Sequence, residues 1–268
     1  MLYLKHPAWL WIKKHEKRLL PPIDEALQAR FDEGHAFAPF VEALYPNLVR
    51  LGFNSYSEYL EMPDKTAEAW DYGAEVVSQG RYESGSITCI SDIVRRDGDA
   101  FILTEIKSSS SAKKEHELDL AFQKVVLEGA GYPIKRCEVA HVNNSYVRKG
   151  DISSIKLVGF TDITEEVESL IDGTKSRIDK AIRVAQANDM PDPSPEQAKL
   201  KSYDDWLGVR KKISPPLPDN SIHFLPNMDA EKSSKLVKEG ISTVEEIKDW
   251  KTTIGQTYHP NYEEHRRK

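Results

Sequence analysis

Apolar positions recur along the chain at two periods. Between residues 24 and 45, apolar or small residues recur three or four positions apart, which places one stripe of a helix toward a core; Pro39 is a point where this helix could kink or break. Elsewhere short apolar or alternating runs are typical of strands. The pattern predicts helices over 6–20, 24–45, 114–129 and 162–188, and strands over 74–79, 85–94, 100–107, 134–143 and 155–160. Strands interleaved with helices indicate an α/β layer structure.

An Asp-Gly pair stands between two of the predicted strands, which is a β-hairpin signal. If Asp97 and Gly98 form the centre of a two-residue turn, Asp92 lies opposite Leu103 and diagonal to Glu105. Diagonal residues are about 7–8 Å apart at the backbone, close enough for two carboxylates to bind one divalent cation between them. The hairpin is therefore the first candidate for a functional site.

Composition changes after residue 188. The 268 residues allow one large domain with an appended module. Two groups of prolines then bracket a short polar helical stretch, which is typical of a linker or a peripheral segment. We therefore predict a main domain over 1–188, a Pro-rich segment over 189–221 and a small helical module over 222–268.

Charge and cysteine content exclude several classes of protein. Lys plus Arg minus Asp plus Glu is 37 − 43 = −6, which excludes a histone-like protein that coats nucleic acid by bulk charge. Two cysteines are too few for a disulfide scaffold or a four-cysteine metal site, and they fit a reducing, cytoplasmic setting. The apolar run at 9–12 ends at Lys13, so no membrane span or signal peptide is expected there.

The segment Glu105-Ile106-Lys107 ends a predicted strand. Side chains alternate along a strand, so Glu105 and Lys107 share a face with Leu103. One interpretation is a solvated sheet edge, where charged residues commonly prevent edge-to-edge pairing. The other is a hydrolytic site, because phosphodiester cleavage requires carboxylates that hold Mg²⁺ or Mn²⁺ and benefits from a nearby lysine. The motif alone is weak evidence, since an acid two positions before a lysine also occurs at 246–248 and 249–251.

Asp92 followed by Glu105-Ile106-Lys107 resembles the core motif of the PD-(D/E)xK nuclease superfamily. The neighbouring segments are similar to its RecB-like exonuclease branch, which includes the nucleases of CRISPR spacer acquisition. The resemblance implies a restriction-endonuclease-like core, with a central mixed β-sheet flanked by helices, and here a small C-terminal helical lobe. It implies that His35, Asp92, Glu105 and the Ile106 carbonyl hold Mg²⁺ or Mn²⁺.

The same resemblance implies roles for two further residues. Lys107 would assist the attacking water, and Gln123, in the helix after the motif, would position a ligand or a phosphate. Each assignment has a structural alternative: His35 lies beside the apolar stripe of its helix, where a histidine is often simply packed, and Gln123 shares with His116 and Asp119 a polar helix face that could be solvated.

The sequence departs from that branch at three points. Ser91 replaces the proline that precedes the aspartate, and the tyrosine usual after the glutamine is missing. Many relatives hold an iron–sulfur cluster with cysteines that this chain lacks, so no cluster is expected.

The resemblance implies a metal-dependent deoxyribonuclease of DNA repair, recombination or defence, acting on single- or double-stranded DNA. It also implies a helicase or a defence or repair complex as a partner. A non-catalytic nucleic-acid- or protein-binding module with the same fold, acting as a subunit of a larger complex, is the alternative. The basic segment 1–22 is a candidate for contact with a nucleic-acid backbone. The turn at 238–241 is reminiscent of a DNA-holding helix-hairpin-helix, although an ordinary helical hairpin explains it better.

Overall fold

The computed structural model describes residues 1–22 and 25–248. In the helix that contains His35 it describes the backbone but not the side chains at 26, 27, 29–33 and 35. The predicted role of His35 as a metal ligand therefore lies outside the described part of the structure.

The chain forms two compact units. One comprises the described residues between Ile23 and Asp179, and the other comprises Met1–Pro22 with the described residues from Lys180 onward. Compactness in space is a different criterion from composition along the chain, so the boundaries expected at 188 and 221 stay a prediction.

A six-stranded mixed sheet lies at the centre of the first unit, with the strands in sequence order across the sheet. The strands are β1 (Leu48–Arg50), β2 (Val76–Ser84), β3 (Ile87–Asp97), β4 (Ala100–Lys107), β5 (Ile134–Val142) and β6 (Val158–Asp162). The pairs β1–β2 and β4–β5 are parallel and the other neighbours are antiparallel. Helices flank this sheet, which confirms the α/β class and is compatible with a restriction-endonuclease-like core.

The described residues form nine α-helices and four short 3₁₀ turns. They are α1 (Leu2–Lys5), α2 (Pro7–His15), α3 (Glu25–Glu42), α4 (Tyr56–Asp71), α5 (Lys114–Gly129), α6 (Ser154–Leu157), α7 (Thr164–Gln186), α8 (Tyr203–Arg210) and α9 (Ala230–Lys238). The helix α3 continues through Pro39. Among the described helices, none combines the length and the apolar content that crossing a bilayer requires.

Each face of the sheet has its own apolar core. On one face, Leu103 and Val94 pack with Leu120 and Leu127 of α5. On the other, Ile93 packs with residues of α3 such as Val41. Because side chains alternate along β4, the residue two positions after Leu103 also points toward the α5 face.

The β3–β4 hairpin has a different register from the predicted one. Asp97 pairs with Ala100 and Val94 pairs with Leu103, so the two turn residues are Gly98 and Asp99. Gly98 has a φ of +65°, the left-handed conformation that glycine adopts most readily and that hairpin turns require. The predicted pairing of Asp92 with Leu103 is therefore wrong, and continuing the observed register sets Asp92 level with Glu105.

Other predictions differ from the structure as well. The strand expected over 74–79 is β2, which continues to Ser84, and the helix expected over 6–20 is α2, which ends at His15 and is followed by a 3₁₀ turn at Lys17–Leu19. The strand expected over 155–160 is the short helix α6 followed by β6. Strand β1 and helix α4 were not predicted, because a three-residue strand is too short for a period, and Pro63 inside α4 argues against a helix.

The second unit has a separate core that joins its two ends. Trp206 of α8 is fully buried, and its ring stacks on His6 with the centroids 3.7 Å apart. Ile12 of α2 and Ile222 belong to the same cluster. After helix α9 comes Gly240, which has a φ of +82°. The next element is a 3₁₀ turn at Val244–Glu246 and not a second α-helix.

Candidate functional site

Two acidic side chains stand side by side on neighbouring strands. Asp92 lies two residues before Val94 on β3, and Glu105 lies two residues after Leu103 on β4. Glu105 faces α5, where it contacts Gln123, and Asp92 is close enough for the charge of Glu105 to act on it. The two carboxylates thus come together directly after the last β3–β4 pair, Ile93 with Thr104, where the Asp92 side chain binds the backbone of β4.

Both carboxylate oxygens of Asp92 accept hydrogen bonds. Oδ2 accepts from the Ile106 N–H at 2.8 Å, and Oδ1 accepts from the Gln79 side-chain amide at 3.1 Å. Burial and the neighbouring charge of Glu105 nevertheless raise the pKa of Asp92 to about 7. A second negative charge beside a poorly solvated carboxylate thus outweighs two hydrogen bonds.

Glu105 is 5% exposed and has a different set of partners. Its Oε1 accepts from the Lys107 ammonium at 2.5 Å, and its Oε2 accepts from the Gln123 amide at 2.7 Å. These contacts confirm the predicted common face of Glu105 and Lys107. They also show Gln123 facing the acids rather than solvent.

Gln123 is positioned by the packing of α5. Leu120 and Leu127, three residues before it and four after it, are fully buried in the core on this face of the sheet, so Gln123 also faces the sheet. Its amide nitrogen binds Glu105, while its Oε1 is buried and has no hydrogen-bond partner among the described residues. An acceptor of this kind is suited to a donor that arrives with a ligand or a bound water.

Lys107 is the cation of the cluster. Its side chain is 33% exposed, so the ammonium group lies between the buried Glu105 carboxylate and solvent. Burial disfavours its charged form, but the carboxylates of Glu105, Asp119 and Asp92 outweigh burial and raise the pKa of Lys107. Lys107 therefore stays protonated at neutral pH.

The other polar residues of α5 divide between the site and the helix end. Burial and the charge of Glu105 raise the pKa of Asp119, so this acid lies in the electrostatic field of the cluster. His116 instead accepts the Lys113 N–H at 3.2 Å through Nδ1 and caps the helix. Burial and Lys107 lower the pKa of His116, which favours the neutral ring that this cap needs.

A cleft of about 800 Å³ opens beside the acids. It is lined by Gly34, Ala38, Glu42, Arg50, Leu51, Gly52, Phe53, Asn54, Met62, Gln79, Ile90, Asp92, Glu105, Ile106, Lys107 and Ser108. Both acids and Lys107 thus border a space large enough for a substrate.

Sequence reasoning missed Gln79. This residue has a φ of +57° in the middle of β2, opposite Asp92, and the regular pairs on either side of it are Ser78 with Ile93 and Gly80 with Ser91. A non-glycine residue held in the left-handed region of a strand is strained, and such strain clusters at functional sites. The available signal was Gly80, because glycine within a strand often marks a bulge or a close approach.

Hydrogen bonds join three of the six predicted site residues: Glu105, Lys107 and Gln123. Asp92 interacts with Glu105 and Lys107 through its charge, and its hydrogen bonds go to the Ile106 N–H and to Gln79. Ile106 also adjoins them, since its N–H binds Asp92, but a role for its carbonyl stays a prediction. The His35 side chain is not among those described.

The donor set is compatible with a hard divalent ion. Among the described side chains, no group of three or more His, Cys, Asp and Glu residues is arranged to hold a metal. Asp92 and Glu105 do offer adjacent carboxylate oxygens, and each oxygen has a lone pair beyond the one already used. Mg²⁺ usually binds through one or two carboxylates and keeps several waters, so a two-carboxylate site fits it.

Comparisons with known proteins add little to this geometry. No protein-family model matches the chain, and no curated protein matches it. One crystal structure with some similarity is described as a phage-related exonuclease from Haemophilus somnus 129PT. The identity is 14%, over 67% of this chain and 92% of that chain, and the TM-score is 0.30. A likeness this weak supports no assignment of function.

Proposed function

We propose that this chain is a divalent-metal-dependent nuclease that hydrolyses phosphodiester bonds in DNA. The observation that carries the proposal is the pairing of the half-buried Asp92 with the buried Glu105, bordered by Lys107 and a cleft. Two like charges placed together raise the free energy of the folded protein, so their proximity calls for a positive ligand.

In this proposal Asp92, Glu105 and the Ile106 carbonyl bind Mg²⁺ or Mn²⁺, with His35 as a further ligand. The ion would supply charge neutralisation at the scissile phosphate and a bound water of lowered pKa. Asp92 is held for this role by the Ile106 N–H and Gln79, which fix its carboxylate plane.

Lys107 would act on the attacking water and on developing negative charge. Its raised pKa keeps it cationic, so it donates hydrogen bonds and does not act as a base. Its partial exposure lets the ammonium reach the cleft while it remains paired with Glu105. Gln123 would be a positioning residue, because its amide holds Glu105 and its free Oε1 would accept from a bound water.

A cleavage assay with matched controls tests the proposal. Wild-type protein should cut fluorescent single- or double-stranded DNA with Mg²⁺ or Mn²⁺, and a chelator should stop it. Asp92→Asn, Glu105→Gln and Lys107→Ala should each lose activity. The controls are Asp99→Asn, in the exposed hairpin turn, and Lys248→Ala, the exposed lysine of another Glu-x-Lys segment.

Metal binding gives a second measurement that does not depend on turnover. Isothermal titration with Mn²⁺ should show binding to the wild type and to both control variants, and much weaker binding to Asp92→Asn and Glu105→Gln. Equal cleavage by wild type and all site variants would exclude this site as the source of activity.

A non-catalytic module that binds nucleic acid or a protein within a repair or defence complex is the second candidate. One observation favours it: all four carboxylate oxygens of Asp92 and Glu105 are engaged by donors of the protein itself. Such a module would bind its partner equally well in the presence of a chelator, would tolerate Lys107→Ala, and would show no cleavage. Co-purification with a helicase would then identify the complex.

A further inference from the structure

An exposed group of aromatic rings lies at the border of the cleft. The aromatic patch consists of Phe53, Tyr56 and Tyr59, at the start of α4. Phe53 is 45% exposed and Tyr56 is 75% exposed. Phe53 packs edge-on against Tyr59 with the centroids 5.1 Å apart, and Tyr56 lies nearly parallel to Tyr59 at 6.1 Å.

The patch is continuous with the proposed active site. It lines a recess of about 460 Å³ together with Asn54 and Ser55, and Phe53 and Asn54 also line the cleft that contains Asp92. A chain that occupies the cleft can therefore extend onto the rings without leaving the protein surface.

Local contacts hold the patch in place. Ser55 caps α4, and the Asn54 N–H binds Glu58 at 2.7 Å. On β2, the guanidinium of Arg81 lies 3.9 Å from the Tyr59 ring centroid and donates to the Tyr59 carbonyl at 2.8 Å. Arg81 is 5% exposed, so this support is part of the core.

Folding accounts for only part of the patch. The contact between Phe53 and Tyr59 resembles a hydrophobic staple, which fixes the chain entering a helix. Tyr56 gains little from that contact, since three quarters of it faces solvent. Its exposed ring face is free to stack on a planar group.

The charges near the rings favour bases over phosphates as the group that binds there. Lys65 is paired with Glu61, and Arg81 is paired with Glu83. The cations that line the cleft are Arg50, which is paired with Glu42, and Lys107, which is paired with Glu105. In the proposed function the scissile phosphate lies in the cleft beside Asp92 and Lys107, and the neighbouring bases would reach the aromatic patch, where both nearby cations are already paired.

We propose that the aromatic patch is a stacking platform for unpaired bases, so that the substrate is a single-stranded nucleic acid or an unpaired strand end. Base faces are available for stacking on aromatic side chains only when the bases are unpaired, and such stacking tolerates any sequence. This inference rests on the proposed function for the role of the cleft, but its test needs neither metal nor cleavage.

The test compares chains that share a backbone and differ in bases. Fluorescence anisotropy in EDTA would measure binding of the full-length protein to a thymidine decamer, to an abasic decamer of equal length and to a ten-base-pair duplex. The wild type should prefer the thymidine decamer to the abasic chain by at least about fivefold. Tyr56→Ala should remove this preference, while Tyr56→Phe should keep it.

Tyr72 provides the matched control, because it is 89% exposed at the other end of α4 and far from the patch in sequence. Tyr72→Ala should leave every affinity unchanged, and duplex binding should not respond to Tyr56→Ala. The proposal is overturned if the wild type binds the thymidine and abasic decamers equally, or if Tyr56→Ala retains the preference. Cleavage without a base preference would refute the platform alone, whereas a base preference without cleavage would refute the nuclease alone.

Discussion

Two buried glutamates on adjacent strands have opposite surroundings. Glu105 on β4 is 5% exposed and Glu138 on β5 is 4% exposed, and they lie on opposite faces of the sheet. Glu138 accepts from the Thr104 hydroxyl at 2.9 Å and from Arg136 at 2.5 Å. Glu105 also has a cation and a neutral donor, but it additionally faces Asp92.

The second carboxylate is what distinguishes the two sites. A single buried acid with a cation and a hydroxyl donor is a balanced arrangement, and it needs nothing from outside the protein. Burial, and then the charge of Glu105, raise the pKa of Asp92 in spite of Lys107. The comparison teaches that the environment of a buried acid, rather than its burial, indicates whether it has a structural or a chemical role.

Substitutions of the two glutamates should differ most in their effect on the rate of DNA cleavage. Glu105→Gln should reduce cleavage of DNA by at least about a hundredfold, because it removes a charge at the proposed centre of chemistry. Glu138→Gln should change the cleavage rate by less than about twofold, because Glu138 faces the other side of the sheet. The measurement is the initial rate with Mn²⁺ for both variants at equal folded concentration. Similar losses in both variants would show that fold integrity, and not the site, determines the rate.

The free energy of unfolding should show the reverse order, with the larger effect from the substitution at Glu138. Glu138→Gln should lower the free energy of unfolding by about 1–2 kcal/mol, since Arg136 loses a charged partner that is buried. Glu105→Gln should leave stability unchanged or raise it at pH 8, because it relieves the repulsion of Asp92. Urea unfolding without divalent ions measures both values. A greater loss for Glu105→Gln than for Glu138→Gln would contradict this comparison.

Much of this arrangement could be predicted from the sequence, and the limits have physical causes. Alternation gave β4 its bounds at 100–107, and apolar periodicity gave α5 its bounds at 114–129; the structure confirms both. The hairpin register was wrong, because a turn shifted by one residue changes every pair along two strands. Gly80 signals an irregularity in β2, but the pattern does not show that its neighbour Gln79 has a positive φ or that its side chain contacts Asp92.

The pH dependence of stability should separate Asp92 from ordinary acids. The pKa of Asp92 is about 7 in the folded protein, against about 3.8 for an unperturbed Asp, so the folded state binds its proton more tightly. The wild-type free energy of unfolding should therefore fall from this cause as pH rises from about 4 to about 7, and then stay level. Asp92→Asn should lack this component. Urea unfolding in EDTA at pH 5 and pH 8 measures the free energy of unfolding of both proteins. If the difference between wild type and Asp92→Asn is the same at both pH values, the raised pKa of Asp92 is refuted.

The smallest effect is expected at the strained residue beside Asp92. Gln79→Gly removes one hydrogen bond of 3.1 Å but relieves the cost of a left-handed side chain, so stability should change by less than about 1 kcal/mol. Gln79→Val loses the same bond and keeps the strain, because a β-branched residue disfavours positive φ. It should therefore be less stable than Gln79→Gly by at least about 1 kcal/mol. In thermal unfolding, the melting temperature of Gln79→Gly should be close to that of the wild type, and that of Gln79→Val should be the lowest of the three. Equal stability of the glycine and valine variants would contradict the strain assigned to Gln79.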